Sequence, residues 1–157
     1  MRRDDYITWD EYFMGLAVLS SMRSKDANTQ VGACIVNPEQ RIVGIGYNGL
    51  PYGCSDDDFP WNREGDYLDT KYPYVVHAEA NAILNSTTKL KGCKIYVTHF
   101  PCNECAKLII QSGITEIIYM EDKHQGTDFN IASKRLLDTA KIAYRPFKKI
   151  DIILKTE

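Results

Sequence analysis

The second half of the chain alternates between helical and extended segments, and this alternation restricts the fold more than any other feature of the sequence. Each segment is recognised by the period of its apolar residues, about 3.6 for helices and 2 for strands. Helices are predicted at 78–85, 102–112 and about 130–140, and strands at 94–98, 116–120 and 150–154. This order is typical of an α/β protein, in which helices cover the faces of a sheet.

The first half adds one helix and a hairpin. Apolar residues at helical spacing predict a helix at about 8–22. Two Val- and Ile-rich segments, 30–36 and 41–47, flank a turn at 37–40 and predict two paired strands. We therefore expect residues 1–157 to form one domain with a sheet of about five strands and helices on both faces, and a chain of this length can bury a full core.

A long segment, 48–73, is rich in Gly, Pro and Asp and shows little periodicity. Ordered loops of this length inside a domain usually serve a function. The alternative is a disordered insertion.

Charge and cysteine content limit the partners and the compartment. The chain has 19 Lys and Arg against 21 Asp and Glu, a net charge of −2, which provides no basic surface for a polynucleotide. No apolar run has the length of a signal peptide or a membrane span, so we expect a cytoplasmic protein without a membrane partner. Five cysteines are an odd number, and in a reducing compartment neighbouring cysteines more often bind metal than form disulfides.

Two short motifs, each heading a predicted helix, are candidates for a metal site. His77 precedes one helix, and Cys102 and Cys105 head another. Cysteines three residues apart share a helix face, and the positive end of the helix dipole stabilises their thiolates. Two thiolates and one imidazole make three protein ligands, and three-ligand zinc sites leave a fourth position for water or substrate. This ligand number indicates a catalytic zinc.

Glu79 is the candidate general base of this site. It lies two residues after His77, so the two side chains share a site only if His77 sits at an irregular first turn. The combination of H-x-E with P-C-x-x-C, here 77–79 and 101–105, is the signature of zinc-dependent nucleobase deaminases.

Other cysteines and histidines are weaker candidates. Cys34 and Cys93 lie within or next to strands and are expected to be buried and apolar in character. Cys54, in the long loop, lacks a second paired ligand for another metal. His99 and His124 follow strands near the site and are expected to be polar rim residues rather than ligands.

Beyond these motifs, nearly the whole chain resembles the deoxycytidylate (dCMP) deaminase family of the cytidine deaminase superfamily. The stretches that carry the resemblance are EYFM at 11–14, RSKD at 23–26, QVGA at 30–33, GIGYNG at 44–49 and PCNECAK at 101–107. The GYNG stretch distinguishes the family from plain cytidine deaminases. The resemblance implies a three-layer α/β/α cytidine-deaminase-like fold with a central mixed sheet.

The resemblance also implies the reaction, which is hydrolysis of dCMP to dUMP and ammonia and which feeds thymidylate synthesis. By the same resemblance, His77, Cys102 and Cys105 are the zinc ligands and Glu79 is the proton shuttle. Glu79 would pass a proton to ring nitrogen N3 and then one to the leaving amine.

The substrate-binding candidates come partly from the resemblance and partly from position in the chain. Asn48 offers a donor and an acceptor to a sugar hydroxyl. Loops at one rim of the sheet should carry Ser24, Asn28 and Lys123 near the phosphate; the alternatives are a helix-terminal role for Ser24 and a surface charge for Lys123. The full set of candidates is Ser24, Asn28, Asn48, Ala78, Thr98 and Lys123.

Regulation is implied by the resemblance alone. Members of the family are activated by dCTP with Mg²⁺, inhibited by dTTP and assembled as homohexamers. Tyr47, Asn48 and Gly49 are the candidate effector residues, and Gly49 is expected to supply a backbone angle that a side chain would forbid.

Two other hypotheses remain open at this stage. A deaminase acting on free cytidine, or on a base in RNA or DNA, would keep the zinc site. A structural zinc domain without activity would require a closed site with four ligands, and the sequence supplies three.

Overall fold

A computed structural model describes all residues, 1–157. Four helices and five strands form the framework, with one short 3₁₀ turn at Tyr67–Asp69. The helices are α1 (Trp9–Ser21), α2 (Ala78–Leu84), α3 (Asn103–Ser112) and α4 (Asp128–Thr139). The strands are β1 (Gly32–Val36), β2 (Ile42–Tyr47), β3 (Lys94–His99), β4 (Glu116–Glu121) and β5 (Ala143–Pro146).

The first helix starts where its sequence supplies a cap. The Thr8 hydroxyl accepts the Glu11 N–H at 3.1 Å, and the Glu11 carboxylate accepts the Thr8 N–H at 3.0 Å. This reciprocal capping box satisfies two backbone donors that would otherwise lack partners. The predicted helix at 8–22 is thereby confirmed, with Thr8 and Met22 as its caps.

The five strands form one mixed sheet in the order β2-β1-β3-β4-β5. The pairs β1–β2 and β1–β3 are antiparallel, whereas β3–β4 and β4–β5 are parallel. Parallel neighbours require crossover helices, and α3 and α4 provide them. The carboxyl ends of β3 and β4 therefore lie at the same edge of the sheet.

Helices cover both faces of the sheet, which confirms the predicted three-layer α/β/α fold. On one face, Phe13, Met14 and Ala17 of α1 pack against Cys34 and Tyr96. On the other face, buried residues of α2, α3 and α4 pack against the sheet. These residues are Ala78, Ala82, Ala106, Ile109 and Leu137.

The predicted closing strand at 150–154 is wrong. The fifth strand is Ala143–Pro146, and Ile153 and Leu154 beyond it are 79% and 64% exposed. Apolar alternation does not predict this short strand because Arg145 and Pro146 interrupt the pattern. Proline is tolerated there because β5 is an edge strand with one unpaired side.

Close contact between α2 and β2 depends on a glycine. A Cβ atom on Gly46 would lie 2.5 Å from the carbonyl oxygen of Ala78, the first residue of α2. A side chain at position 46 would push α2 away from the sheet. The glycine thus fixes the position of the helix that carries Glu79.

The long loop at 48–73 is folded on itself, as expected for an ordered loop and not for a disordered insertion. The Trp61 indole N–H donates to the Asp56 carbonyl at 3.0 Å, and the Tyr74 hydroxyl donates to the Leu68 carbonyl at 2.9 Å. None of the four helices is both long and apolar enough to cross a bilayer.

Candidate active site

Three metal-binding side chains converge between the first turns of α2 and α3. His77 is the N-cap of α2 and Cys102 is the N-cap of α3, and both have extended backbones, with φ −70° and ψ 155° at His77. Cys105 lies in the first turn of α3. The required departure from regular helical geometry is therefore met, because His77 is the extended residue before the helix, and it allows His77 and Glu79 to approach the same point.

The spacing of the three donor atoms suits a tetrahedral zinc ion. Nδ1 of His77 lies 3.5 Å from Sγ of Cys102 and 3.4 Å from Sγ of Cys105. Tetrahedral bonds of ordinary zinc–sulfur and zinc–nitrogen length would separate sulfur and nitrogen by about 3.6 Å. His77 is exposed, Cys102 is partly buried and Cys105 is buried, so the site opens towards the side of the imidazole.

The thiols of Cys102 and Cys105 differ in pKa, and the lower pKa favours the thiolate form that binds metal. A hydrogen bond from Cys105 is the main cause that lowers the pKa of Cys102 to about 4. The same hydrogen bond, together with burial, raises the pKa of Cys105. The Cys102 hydrogen bond also raises the pKa of His77. A thiolate beside a thiol and an imidazole is a donor set for a soft divalent cation.

Glu79 stands in the first turn of α2 and is only 4% exposed. Burial raises the pKa of its carboxyl group, and the charge on Cys102 adds to this, while His77 opposes it. A raised pKa brings a carboxylate nearer to the value that general acid–base catalysis at neutral pH requires. The side chain can therefore both accept and return a proton.

A pocket of about 500 Å³ opens over these residues. This volume lies within the range of small-molecule sites. His77, Ala78, Glu79 and Cys102 form its floor, and the long loop, the α1–β1 connection and the β4–α4 connection supply its walls. The wall residues include Asp26, Thr29, Asn48, Arg63, Lys71, Tyr72, His99, His124 and Phe129.

Of the six predicted substrate-binding residues, Asn48 and Ala78 line the pocket. The Asn48 side chain is 6% exposed and fastens the α1–β1 connection: its Oδ1 accepts the Val31 N–H and its Nδ2 donates to the Thr29 carbonyl, both at 2.9 Å. One amide hydrogen and one lone pair of Asn48 remain for a ligand.

The other four predicted residues lie beside the pocket and do not line it. The Ser24 hydroxyl accepts the Asp26 N–H at 3.3 Å, and the exposed Asn28 donates its backbone N–H to Asp26 at 2.8 Å. Thr98 is buried, and its hydroxyl accepts the Gly32 N–H across the sheet at 3.2 Å. Lys123 is exposed and directly precedes His124.

The predicted effector residues lie at the end of β2, which Tyr47 closes, and directly after it. Tyr47 lies beneath the Arg23 guanidinium, at 5.8 Å, and its carbonyl accepts from the Asn81 amide at 2.8 Å. The expectation that Gly49 needs an angle forbidden to side chains is wrong. Gly49 is not among the glycines with positive φ, and an added Cβ would meet its nearest neighbour, a Tyr47 ring carbon, at 3.9 Å. Gly49 instead pairs with Val76 in an isolated antiparallel bridge.

Sequence patterns did not reveal the buried ion pair between Asp26 and Lys71 in the pocket wall, nor the contributions of Arg63 and Tyr72. The sequence offers two weak hints of this ion pair. Asp26 belongs to the RSKD stretch, and Lys71, which follows Thr70, has mostly apolar neighbours after it. His99 and His124 both line the pocket, and neither belongs to the group of candidate metal ligands.

Cys34 and Cys93 behave as predicted. Cys34 and Cys93 are buried in the two cores, and burial raises the pKa of Cys34 to about 12. All five cysteines are free of disulfides. The one potential metal-binding group of side chains is His77, Cys102 and Cys105, and Cys54 belongs to no such group.

Comparison with known proteins gives consistent results. The family model of the cytidine and deoxycytidylate deaminase zinc-binding region matches residues 7–121. Deoxycytidylate deaminases of Pongo abelii and Homo sapiens are 61% and 60% identical over 148 residues, which is 93% of this chain and 83% of each relative. The solved dCMP deaminase of cyanophage S-TIM5 in complex with dCMP and dUMP is 27% identical, with a TM-score of 0.72 over 90% of this chain and all of that one.

Proposed function

Because this chain belongs to the deoxycytidylate deaminases of the cytidine deaminase family and is thus a hydrolytic deaminase, we propose that residues 1–157 act as one zinc-dependent domain that converts dCMP and water to dUMP and ammonia. The observation that carries this proposal is the convergence of His77, Cys102 and Cys105 beside the buried Glu79 at the floor of one pocket. A solved relative bound to dCMP and dUMP supports the choice of substrate.

His77, Cys102 and Cys105 would hold a zinc ion, which would supply Lewis-acid activation of the attacking water when bound. Glu79 takes a proton from that water and delivers it to N3 of the cytosine ring, which makes C4 more electrophilic. The water oxygen bonds to C4, and Glu79 then carries the second proton of that water, from the hydroxyl now on C4, to the amino group. The C4–N bond breaks, ammonia leaves and the C4 carbonyl of uracil forms. Burial of the carboxylate favours both transfers because it raises the pKa of Glu79 towards neutrality.

The walls of the pocket hold the rest of the nucleotide. We assign the sugar hydroxyl to the free donor and acceptor of Asn48, and the base to the backbone at Ala78. Ser24, Asn28 and Lys123 surround the phosphate from the rim. Thr98 acts indirectly, since its hydroxyl holds the Gly32 N–H at the start of β1.

Regulation and assembly extend the proposal. dCTP with Mg²⁺ activates and dTTP inhibits, through Tyr47, Asn48 and Gly49, in a homohexamer. Support comes from the position of Asn48, which directly follows β2 and also lines the pocket. An effector bound at Tyr47 or Gly49 can therefore shift Asn48 in the pocket. The dUMP product would supply thymidylate synthesis in the cytoplasm, without polynucleotide or membrane partners.

The test is to measure ammonia release from dCMP, deoxycytidine and CMP by the zinc-loaded protein, each with and without dCTP and Mg²⁺. Turnover of dCMP well above deoxycytidine supports the substrate, and stimulation by dCTP supports the regulation. Equal turnover of deoxycytidine and dCMP contradicts phosphate recognition. Absence of turnover with any substrate, despite bound zinc, contradicts the function.

A further inference from the structure

His99 lies at the end of β3 in the wall of the pocket, and the proposed mechanism does not use it. Both ring nitrogens are buried, and neither has a hydrogen-bond partner in the protein. Nε2 lies 3.5 Å from a Glu121 carboxylate oxygen without the alignment of a hydrogen bond. Buried polar atoms are almost always paired, so an unpaired imidazole in a pocket wall indicates a missing partner.

The orientation of the ring shows how a ligand could supply this partner. The side chain is 19% exposed, and since both nitrogens are buried, its exposed atoms are carbons. Rotation of the ring by 180° about the Cβ–Cγ bond exchanges Nδ1 with Cδ2 and Nε2 with Cε1. The exchanged orientation brings nitrogen to the positions of the ring carbons.

The charges around His99 favour an anionic partner. Burial, helped by the positive charge of Lys123, lowers the pKa of His99 to about 4. The imidazole is therefore neutral at pH 7 and carries one N–H donor. The neighbouring carboxylate of Glu121 is already paired with Lys149 at 3.1 Å. Lys123 thus acts as a positive charge on the ring, and Arg63 adds a cation to the lining of the pocket.

We propose that His99 is a substrate-binding residue whose imidazole N–H donates a hydrogen bond to the 5′-phosphate of the bound nucleotide. The phosphate is the only anionic group of a nucleoside monophosphate, and the same pocket places the base at the zinc ligands. His99 then favours the nucleotide over the nucleoside. This inference rests on the proposed function, because it assumes a nucleotide in this pocket.

The test compares the wild-type protein with His99→Leu, which removes the donor and keeps a similar volume. Loss of a hydrogen bond to a charged group should raise the KM for dCMP about 10- to 100-fold. The kcat for dCMP and the kcat/KM for deoxycytidine, which has no phosphate, should change less than about twofold. An equal loss with both substrates, or an unchanged KM for dCMP, would overturn the inference.

Tyr96→Phe is the matched control. It removes a buried hydrogen-bonding group from the same strand, a 2.6 Å bond to Asp10, on the face away from the pocket. This variant should keep the ratio of dCMP to deoxycytidine turnover. A similar fall of that ratio in Tyr96→Phe would show that general distortion of β3, and not the imidazole, is responsible.

A binding measurement separates this inference from the proposed function. Calorimetry with dUMP and deoxyuridine should show dUMP affinity reduced about 10- to 100-fold in His99→Leu and deoxyuridine affinity unchanged. If wild-type protein binds dUMP no better than deoxyuridine, the proposed function fails. If it prefers dUMP and the variant keeps that preference, only the inference about His99 fails.

Should His99→Leu fold poorly, nitrogen-15 NMR of the imidazole in the wild-type protein decides the question. The His99 ring signals should shift on addition of dUMP and not of deoxyuridine. Signals that stay unchanged when dUMP saturates the site would overturn the inference.

Discussion

The Lys71 ammonium group and the Asp26 carboxylate form an ion pair that is buried in the pocket wall, with side chains 9% and 2% exposed. The pair joins two segments that are distant in sequence, the long loop and the α1–β1 connection. The other oxygen of Asp26 accepts the backbone N–H groups of Asn28 and Thr29, at 2.8 and 3.2 Å. One carboxylate therefore holds both the loop and the pocket wall beside it.

Breaking this pair from one side should strongly destabilise the protein. Lys71→Met leaves the Asp26 charge buried without its partner, and such losses cost about 3 to 5 kcal/mol. The combined variant Asp26→Leu with Lys71→Met should recover part of this loss because no charge is left buried. Denaturant unfolding of the zinc-loaded proteins measures both values.

The exposed pair between Lys25 and Asp56 provides the control, because its side chains are 59% and 35% exposed. Lys25→Met should change the free energy of unfolding by no more than about 1 kcal/mol. Comparable losses in Lys25→Met and Lys71→Met would contradict the importance of burial.

Glu79→Gln should abolish catalysis and leave the metal site intact. The amide has the shape of the carboxylate but cannot accept and return a proton, so kcat should fall by about 100- to 10,000-fold. Zinc content should remain at the wild-type level because Glu79 is not one of the three clustered donors. Substantial activity in this variant, or loss of zinc along with activity, would contradict the role of proton shuttle.

Local patterns located the three clustered donors His77, Cys102 and Cys105, and long-range contacts account for most of what these patterns missed. His77, Cys102 and Cys105 stand at helix starts, which apolar periodicity locates from a few neighbouring residues. Lys71 and Asp26 are 45 residues apart and leave no periodic signal of their contact. The edge strand β5 was missed for a related reason: its pairing with β4 stabilises it, although its own sequence includes Arg145 and Pro146.

Metal content should depend on Cys105 and not on Cys54. Cys105→Ser replaces a buried thiol of the donor cluster by a poorer zinc ligand, and we expect loss of both zinc and activity. Cys54→Ser, outside the cluster, should retain wild-type zinc. Elemental analysis of the purified proteins gives the number of zinc ions per chain. If the wild type holds two zinc ions and Cys54→Ser holds one, a second zinc site at Cys54 is established and this prediction is wrong.

His99 should make the protein less stable in mild acid. Its pKa is about 4 when folded and 6.5 in a solvated chain, so between these pH values the unfolded chain binds more protons at this residue. The free energy of unfolding therefore rises as the pH increases from 4 to 6.5, and about 2 kcal/mol of this rise falls between pH 5 and pH 7. His99→Leu should remove this part of the pH dependence, whereas Tyr96→Phe should retain it. Parallel curves for wild type and His99→Leu in denaturant unfolding would contradict the lowered pKa.

Gly46→Ala should disturb the active site from a distance. The added methyl group would lie 2.5 Å from the Ala78 carbonyl oxygen, and neither backbone can move without displacing α2 from β2. We expect a loss of about 1 to 3 kcal/mol in the free energy of unfolding. The shift of α2 should also lower kcat, because this helix carries Glu79 and His77 is its N-cap.

Gly49→Ala is the control for stability. Its added methyl group would lie 3.9 Å from the nearest neighbour, so the free energy of unfolding should change by less than about 0.5 kcal/mol. If Gly46→Ala is as stable and as active as the wild type, the close packing of α2 on β2 does not position the catalytic carboxylate.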